Sequence, residues 1–244
     1  MKTCPGAAAS PFGFLARLVT AGVLSGASVA GMAATASFVT TLPTTDVIRQ
    51  TTALSSGGNL QLRHLMSGAD NNRWVGVGFT APNFSTTLDR ITLYINFSAE
   101  GAGQVAASVM GAAVKIDVVE LSSLTAAPSA PYAPIYSEMA TMPASYGQQS
   151  YLTFDLTTPF ALEAGQNYGI MLSFPEAGSS RGINFRTAPT NSAGLNGIGS
   201  TFYTTNGGTT YTVSTNPLAF VLQTTPPSNI PEPSSAALLL GGAG

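Results

Sequence analysis

The sequence predicts an all-β fold, an antiparallel two-sheet β-sandwich, on three observations. Apolar and polar residues alternate at period two in one run after another, turn-forming residues separate the runs, and no stretch between Ser37 and Gln223 carries an apolar repeat at helical spacing. The sandwich is expected over residues 37–223. A signal helix is expected within residues 1–36, a Pro-rich linker over 224–230 and a partial hydrophobic tail over 231–244.

The strands follow in order along the chain. Ile91, Leu93, Ile95 and Phe97 alternate with Thr92, Tyr94 and Asn96, which places one set on each face of a half-buried strand. Val114, Ile116 and Val118 begin another, but Val119 and Leu121 shift the phase, which implies a bulge or a strand covered on both faces. Leu152, Phe154 and Leu156 alternate with Thr153 and Asp155, Tyr168, Ile170, Leu172 and Phe174 repeat the pattern, and Leu218, Phe220 and Leu222 form the last strand. Asn206-Gly207 lies between Thr/Tyr-rich runs and predicts a type I′ hairpin turn, because both central residues of that turn need positive φ. Glu163 to Asn167 supplies turn-forming residues ahead of the Tyr168 strand.

Composition narrows the function. Charged residues are 8 % of the 244, far below the usual share of about 25 %. The apolar share of 44 % is ordinary, so a core can be buried. Net charge is -2 with the charges scattered singly, and no basic stripe exists to follow a phosphate backbone, so nucleic acid is excluded as a partner. Cys4 is the only cysteine and falls in the segment expected to be removed, which leaves no disulfide or thiol chemistry. It precedes the apolar run, so the lipoprotein arrangement does not fit.

Lys2 and Arg17 lead into the apolar, small-residue stretch from Leu18 to Met32, and Ala34-Thr35-Ala36 offers a small-x-small cleavage pattern. This reads as a secretory signal peptide, cleaved after Ala36, with Ala34 and Ala30 as alternatives. The run is too short and too rich in Gly, Ser and Ala for a membrane span, which needs about 20 apolar residues.

At the other end, TTPPSN at 224–229 is a semi-extended linker, and Pro231-Glu232-Pro233, Ser234-Ser235 and the apolar run from Ala236 to Leu240 follow it. Linker, motif and hydrophobic onset in that order resemble the PEP-CTERM sorting signal of Gram-negative bacteria that make extracellular polysaccharide. The resemblance implies an exosortase-type processing enzyme as partner, acting at Pro231, Glu232 and Pro233, and a transient membrane contact through the tail. The tail departs from that pattern. Its last nine residues, Ala236 to Gly244, reach only about 14 Å as a helix at about 1.5 Å per residue, against a hydrocarbon core of about 30 Å, and no arginine cluster follows them. The signal is expected to be cut short, either in this sequence or in its gene.

Two inner segments extend the likeness. Leu162-x-x-Gly165-x-x-Tyr168, after Thr153-Phe154-Asp155-Leu156, looks like the strand pair of choice-of-anchor domains, and Pro217 to Leu222 is similar to their last strand. That resemblance covers residues 60–223, implies a jelly-roll-like sandwich displayed at the cell surface, and carries over no catalytic residue. Read from the residues themselves, Gly165 is a tight turn and Tyr168 a core aromatic.

No constellation for catalysis stands out. His64 is the only histidine and no G-x-S-x-G elbow accompanies it, so a serine triad has no support. One histidine and no cysteine in the mature chain make a zinc site improbable, and Asp70-Asn71-Asn72, the one oxygen-rich cluster that calcium would prefer, reads as a turn. A glycosidase needs two facing carboxylates. Asp117 and Glu120, three apart on a strand, fall on opposite faces, and nothing in sequence joins Asp89, Asp155, Glu163 and Glu176. No metal, cofactor or catalytic residue is therefore expected. Trp74, Tyr132 and Tyr136, with Tyr146, Tyr151, Tyr203 and Tyr211, lie outside the strict apolar phase. Exposed aromatics stack on sugar rings, which makes the first three candidate ligand contacts, although a core or cross-strand position explains each as well.

The expectation is a secreted or envelope-sorted, non-enzymatic protein of the extracellular polysaccharide or biofilm matrix, with a carbohydrate-binding module as first alternative and a glycoside or other hydrolase as second.

Overall fold

The computed structural model describes residues 33–51, 58–64, 72–95, 109–145, 150–175, 180–188, 193–194 and 196–224. The expected signal helix, the linker beyond Thr224, the tail with Pro231, Glu232 and Pro233, and Tyr146, Glu176, Asp70 and Asn71 lie outside the described residues.

The regular elements of the described residues are strands: β1 (Ala34–Val39), β2 (Val47–Gln50), β3 (Asn59–His64), β4 (Asn72–Thr80), β5 (Thr86–Tyr94), β6 (Ala113–Glu120), β7 (Tyr136–Thr141), β8 (Tyr151–Leu162), β9 (Asn167–Ser173), β10 (Arg181–Arg186), β11 (Ile198–Thr204), β12 (Thr212–Ser214) and β13 (Phe220–Gln223). The all-β class is as the sequence predicts. The sheet arrangement differs from the expected two antiparallel sheets. One ladder of 13 strands runs in the order β10-β3-β4-β9-β6-β7-β1-β8-β5-β13-β2, with β11 and β12 attached beside β4, and its β1–β7 pair is parallel. Alternation fixes which residues of a strand share a face, but it says nothing of which strand comes next in the ladder.

The sheet curls around a single main core. Val75, Val77 and Phe79 of β4, Ile116 and Val118 of β6, Ile91 and Leu93 of β5, Leu152 and Phe154 of β8 and Phe220 and Leu222 of β13 meet inside it. The curl also brings the ends of the ladder together. Ala219 donates its N–H to the Arg186 carbonyl at the end of β10 (2.9 Å) while its own carbonyl accepts from Tyr94 of β5 (3.1 Å), and Ala188 donates to Pro217 (2.7 Å). Where β2 leaves off along β13, Thr51 completes the pairing: its hydroxyl donates to the Leu218 carbonyl (3.0 Å) and accepts from the Phe220 N–H (2.8 Å).

A second, smaller cluster lies apart from the main core, and it explains the phase shift in β6. Val119 and Leu121 join Met171 and Phe202 there, so β6 is covered on both faces, and its ladders to β7 and β9 run without a bulge. The Phe202 ring lies over Gly76 and Gly169. A Cβ added at Gly169 would meet Phe202 Cζ at 2.7 Å and Val119 Cγ2 at 3.1 Å, so these strand glycines form a slot for the ring. The β11–β12 connection contains Asn206-Gly207 as expected, but it is no two-residue type I′ turn. It spans residues 205–211, positive φ falls on Gly207 (69°) and Gly208 (88°), and the Asn206 carboxamide holds the loop by accepting from the Thr210 N–H at 3.0 Å.

Gly169→Ala is expected to destabilise the fold by about 1–3 kcal/mol through overpacking against Phe202, and a Phe202→Leu change in the same chain to recover part of that loss. Urea unfolding of both variants measures it.

Candidate functional site

The structure divides the three aromatic candidates between two places. Trp74 of β4 and Tyr132 of the β6–β7 connection meet edge to face with ring centroids 5.5 Å apart, both packed against the second cluster. Tyr136 opens β7 and packs against the main core instead, its ring 5.5 Å from Phe160 and its hydroxyl oxygen 2.9 Å from the Thr158 carbonyl oxygen. All three are half-buried.

Asp117 organises the first place. From the middle of β6, only 2 % exposed, its carboxylate accepts from Tyr132 Oη (2.9 Å), Lys115 Nζ (3.0 Å) and Ser137 Oγ. Tyr211, whose ring lies edge to face against Phe202, has a buried hydroxyl with no hydrogen-bond partner. Burial, and after it the Asp117 charge, push the Tyr211 hydroxyl up to about 12, and the same two causes in the same order raise Tyr132 further. Glu138, in register with Ile116, belongs to the main-core side with Tyr136. It accepts from the Thr157 N–H (3.0 Å) and from the Tyr136 hydroxyl, and burial followed by Glu138 raises Tyr136 as well. Thr157 needs that acceptor because β8 leaves its register with β5 here: Asp155 opposes Arg90, yet the next pair is Phe160 with Leu88. Both acids thus spend their acceptor oxygens on the fold's own donors.

The same irregularity brings together two carboxylates that the sequence could not connect. Asp89 and Asp155 line one hollow of about 250 Å³, with Asp46, Pro159 and Gln223, and a second hollow of about 260 Å³ lies on the other side of Arg90, against Ser37, Leu42 and Thr153. The Arg90 guanidinium forms an ion pair with Asp155, with both side chains well exposed, so its net worth is small. Asp117 and Glu120 sit as the odd spacing predicts: their β9 partners are Met171 of the second cluster and Tyr168 of the main core. His64 ends β3 opposite Asn72 and Arg181, neighbours that supply no carboxylate to orient it. Among the described residues no group of three or more His, Cys, Asp or Glu is placed to hold a metal ion.

Ala34 and Ala36, the expected cleavage residues, fall inside β1. Ala34 is 4 % exposed and pairs with Ala140, and Ala36 pairs with Phe154. Gly165 has φ of 73° and Tyr168 is 2 % exposed, accepting from the Glu163 N–H at 3.0 Å, so the turn and core roles read from these two residues describe them. The strands they join, β8 and β9, are not ladder neighbours. No family model, curated protein or solved structure matches this chain.

The raised tyrosines carry a pH dependence. An unfolded tyrosine ionises near 10, so above that pH the unfolded chain loses protons that folded Tyr132, Tyr136 and Tyr211 still hold. The stability from this source is whole below about pH 10 and is lost as pH rises through the folded values. In a 295 nm tyrosinate titration these residues are expected to ionise late, and Asp117→Asn to bring Tyr132 and Tyr211 forward. All tyrosines titrating together near 10 would contradict this.

Proposed function

We propose that the protein is exported and serves as a non-enzymatic component of the extracellular polysaccharide or biofilm matrix of a Gram-negative bacterium. The observation that carries the export reading is the charged start and the apolar, small-residue run that precede β1, a strand that begins at Ala34 and is paired on both sides. Ser28-Val29-Ala30 is itself a small-x-small cleavage pattern. Cleavage there removes the charged start and the apolar run as far as Ala30 and leaves β1 whole. Cleavage after Ala36 would strip β1 of its pairs with Ala140, Thr141, Asp155 and Phe154 and leave the facing ends of β7 and β8 as open edges. The signal peptidase site is therefore assigned to Ala30, ahead of Ala34 or Ala36.

Sorting is assigned to the tail, with an exosortase-type enzyme acting at Pro231-Glu232-Pro233 after a transient membrane contact. The curled sheet is read as a flattened, jelly-roll-like sandwich, the form that the resemblance to choice-of-anchor domains implies. A non-catalytic role is supported by the way Asp117, Glu138 and Asp155 are each tied to donors of the fold.

Expression of the full chain in a Gram-negative host, with N-terminal sequencing of the exported product, tests this reading. Gly31 is the expected first residue. A product beginning at Ser37 would overturn the site, and a cytoplasmic product retaining Met1 would overturn export.

A further inference from the structure

We propose that the cleft between β3 and the β11–β12 hairpin binds a neutral, hydroxyl-rich ligand, a hexose unit of a neutral polysaccharide. This rests on the reading of the protein as a component of a polysaccharide layer and gives that layer a point of attachment.

The cleft is a consequence of the ladder. Asn72 and Arg73 of β4 pair with β3, while Trp74 to Phe79 pair with β11 along the same edge, so two strands compete for one partner and must diverge. The space between them is about 480 Å³, within the 300–1,000 Å³ of small-molecule sites. None of the side chains lining it is charged. That separates it from the two hollows beside Arg90 and argues against an anionic or cationic ligand, whose charge would have to be desolvated without a partner.

The polar groups of the wall are the second observation. Thr201 is 1 % exposed, and its hydroxyl, at the cleft, has no hydrogen-bond partner. Asn216 lines the same wall, and its Oδ1 is likewise buried without a donor. Buried polar atoms left unpaired cost free energy and are uncommon in native folds. Asn216 Oδ1 can only accept and the Thr201 hydroxyl can do either, so a ligand hydroxyl, which is donor and acceptor at once, satisfies both. Thr201 and Tyr203 face the same way, in register with Val77 and Val75. The Tyr203 ring is fixed by the Arg73 guanidinium at 5.0 Å and supplies an apolar surface for the CH groups of a sugar. Val213, 46 % exposed, adds an apolar rim.

The test is calorimetric titration of the full chain with gluco-, manno- and galacto-hexaoses, and with an oligogalacturonate as the anionic control. At least one neutral hexaose is expected to bind and the uronate not. Tyr203→Ala should weaken binding tenfold or more. Thr201→Val should weaken it about threefold or more without lowering the melting temperature, since the hydroxyl has no partner in the free protein; a merely structural hydroxyl would do the reverse. Absence of binding to all three neutral hexaoses, equal binding of the uronate, or affinity unchanged in both variants would overturn the proposal. Export is scored separately by the Gly31 terminus: an exported protein that binds no hexaose sinks the cleft alone, and a binding protein that is not exported sinks the wider reading alone.

Discussion

The backbone groups of Ala219 hold the curled sheet closed. Its N–H reaches β10 and its carbonyl reaches β5, so the residue ahead of β13 ties one end of the 13-strand ladder to strands near the other. A sheet of this length presents long rows of unpaired N–H and C=O groups wherever it stops, and such edges recruit other chains. Curling until β10 meets the end of β5 and the residues ahead of β13 pairs part of one such edge internally and encloses the apolar faces of the strands in one step. Thr51 shows how strictly the accounting is kept. At the point where β13 changes partner, a side-chain hydroxyl takes the place of a backbone donor and of a backbone acceptor.

The same accounting makes hollows. Where two strands share one partner edge they must part, as β3 and β11 do along β4, and where β8 slips against β5 a donor is left for Glu138 and a cavity opens beside Asp89. The two places differ in chemistry because different residues fall there. One has hydroxyls, two amides and a tyrosine ring without charge, and the other has carboxylates and a guanidinium. In the first, the unpaired Thr201 hydroxyl and Asn216 amide oxygen stand in a wall without charged side chains, the chemistry that a neutral ligand hydroxyl matches.

Much of the strand content was legible. The apolar residues of Ile91 to Ile95, Leu152 to Leu156 and Tyr168 to Phe174 are buried where the alternation placed them, but Tyr94, Met171 and Ser173 between them are buried too, so these strands are covered on both faces and not half-buried. Thr92 and Thr153 are buried as well, and their hydroxyls hydrogen-bond across the ladder at 3.0 Å. Strand order was not legible, because β8 and β9 are adjacent in sequence yet belong to different stretches of the ladder, a choice made by long-range pairing. Of the candidate site residues, Trp74 and Tyr132 are brought together and Tyr136 is not, since it faces the main core with Glu138. The roles of Asp117 and Thr51 had no local signal. The slot for Phe202 did have one, for Gly76 and Gly169 inside strands mark a close approach, as a strand glycine often does.

Amide hydrogen exchange at Ala219 tests the closed sheet most directly. If the sheet closes as described, the Ala219 N–H is protected as strongly as that of Ile170 in the central strand β9, and Thr51→Val lowers the protection of Phe220, whose N–H the Thr51 hydroxyl accepts. Exchange of the Ala219 amide at the rate of an exposed loop, with Ile170 still protected, would mean that the ladder ends in open edges and that the closure is wrong.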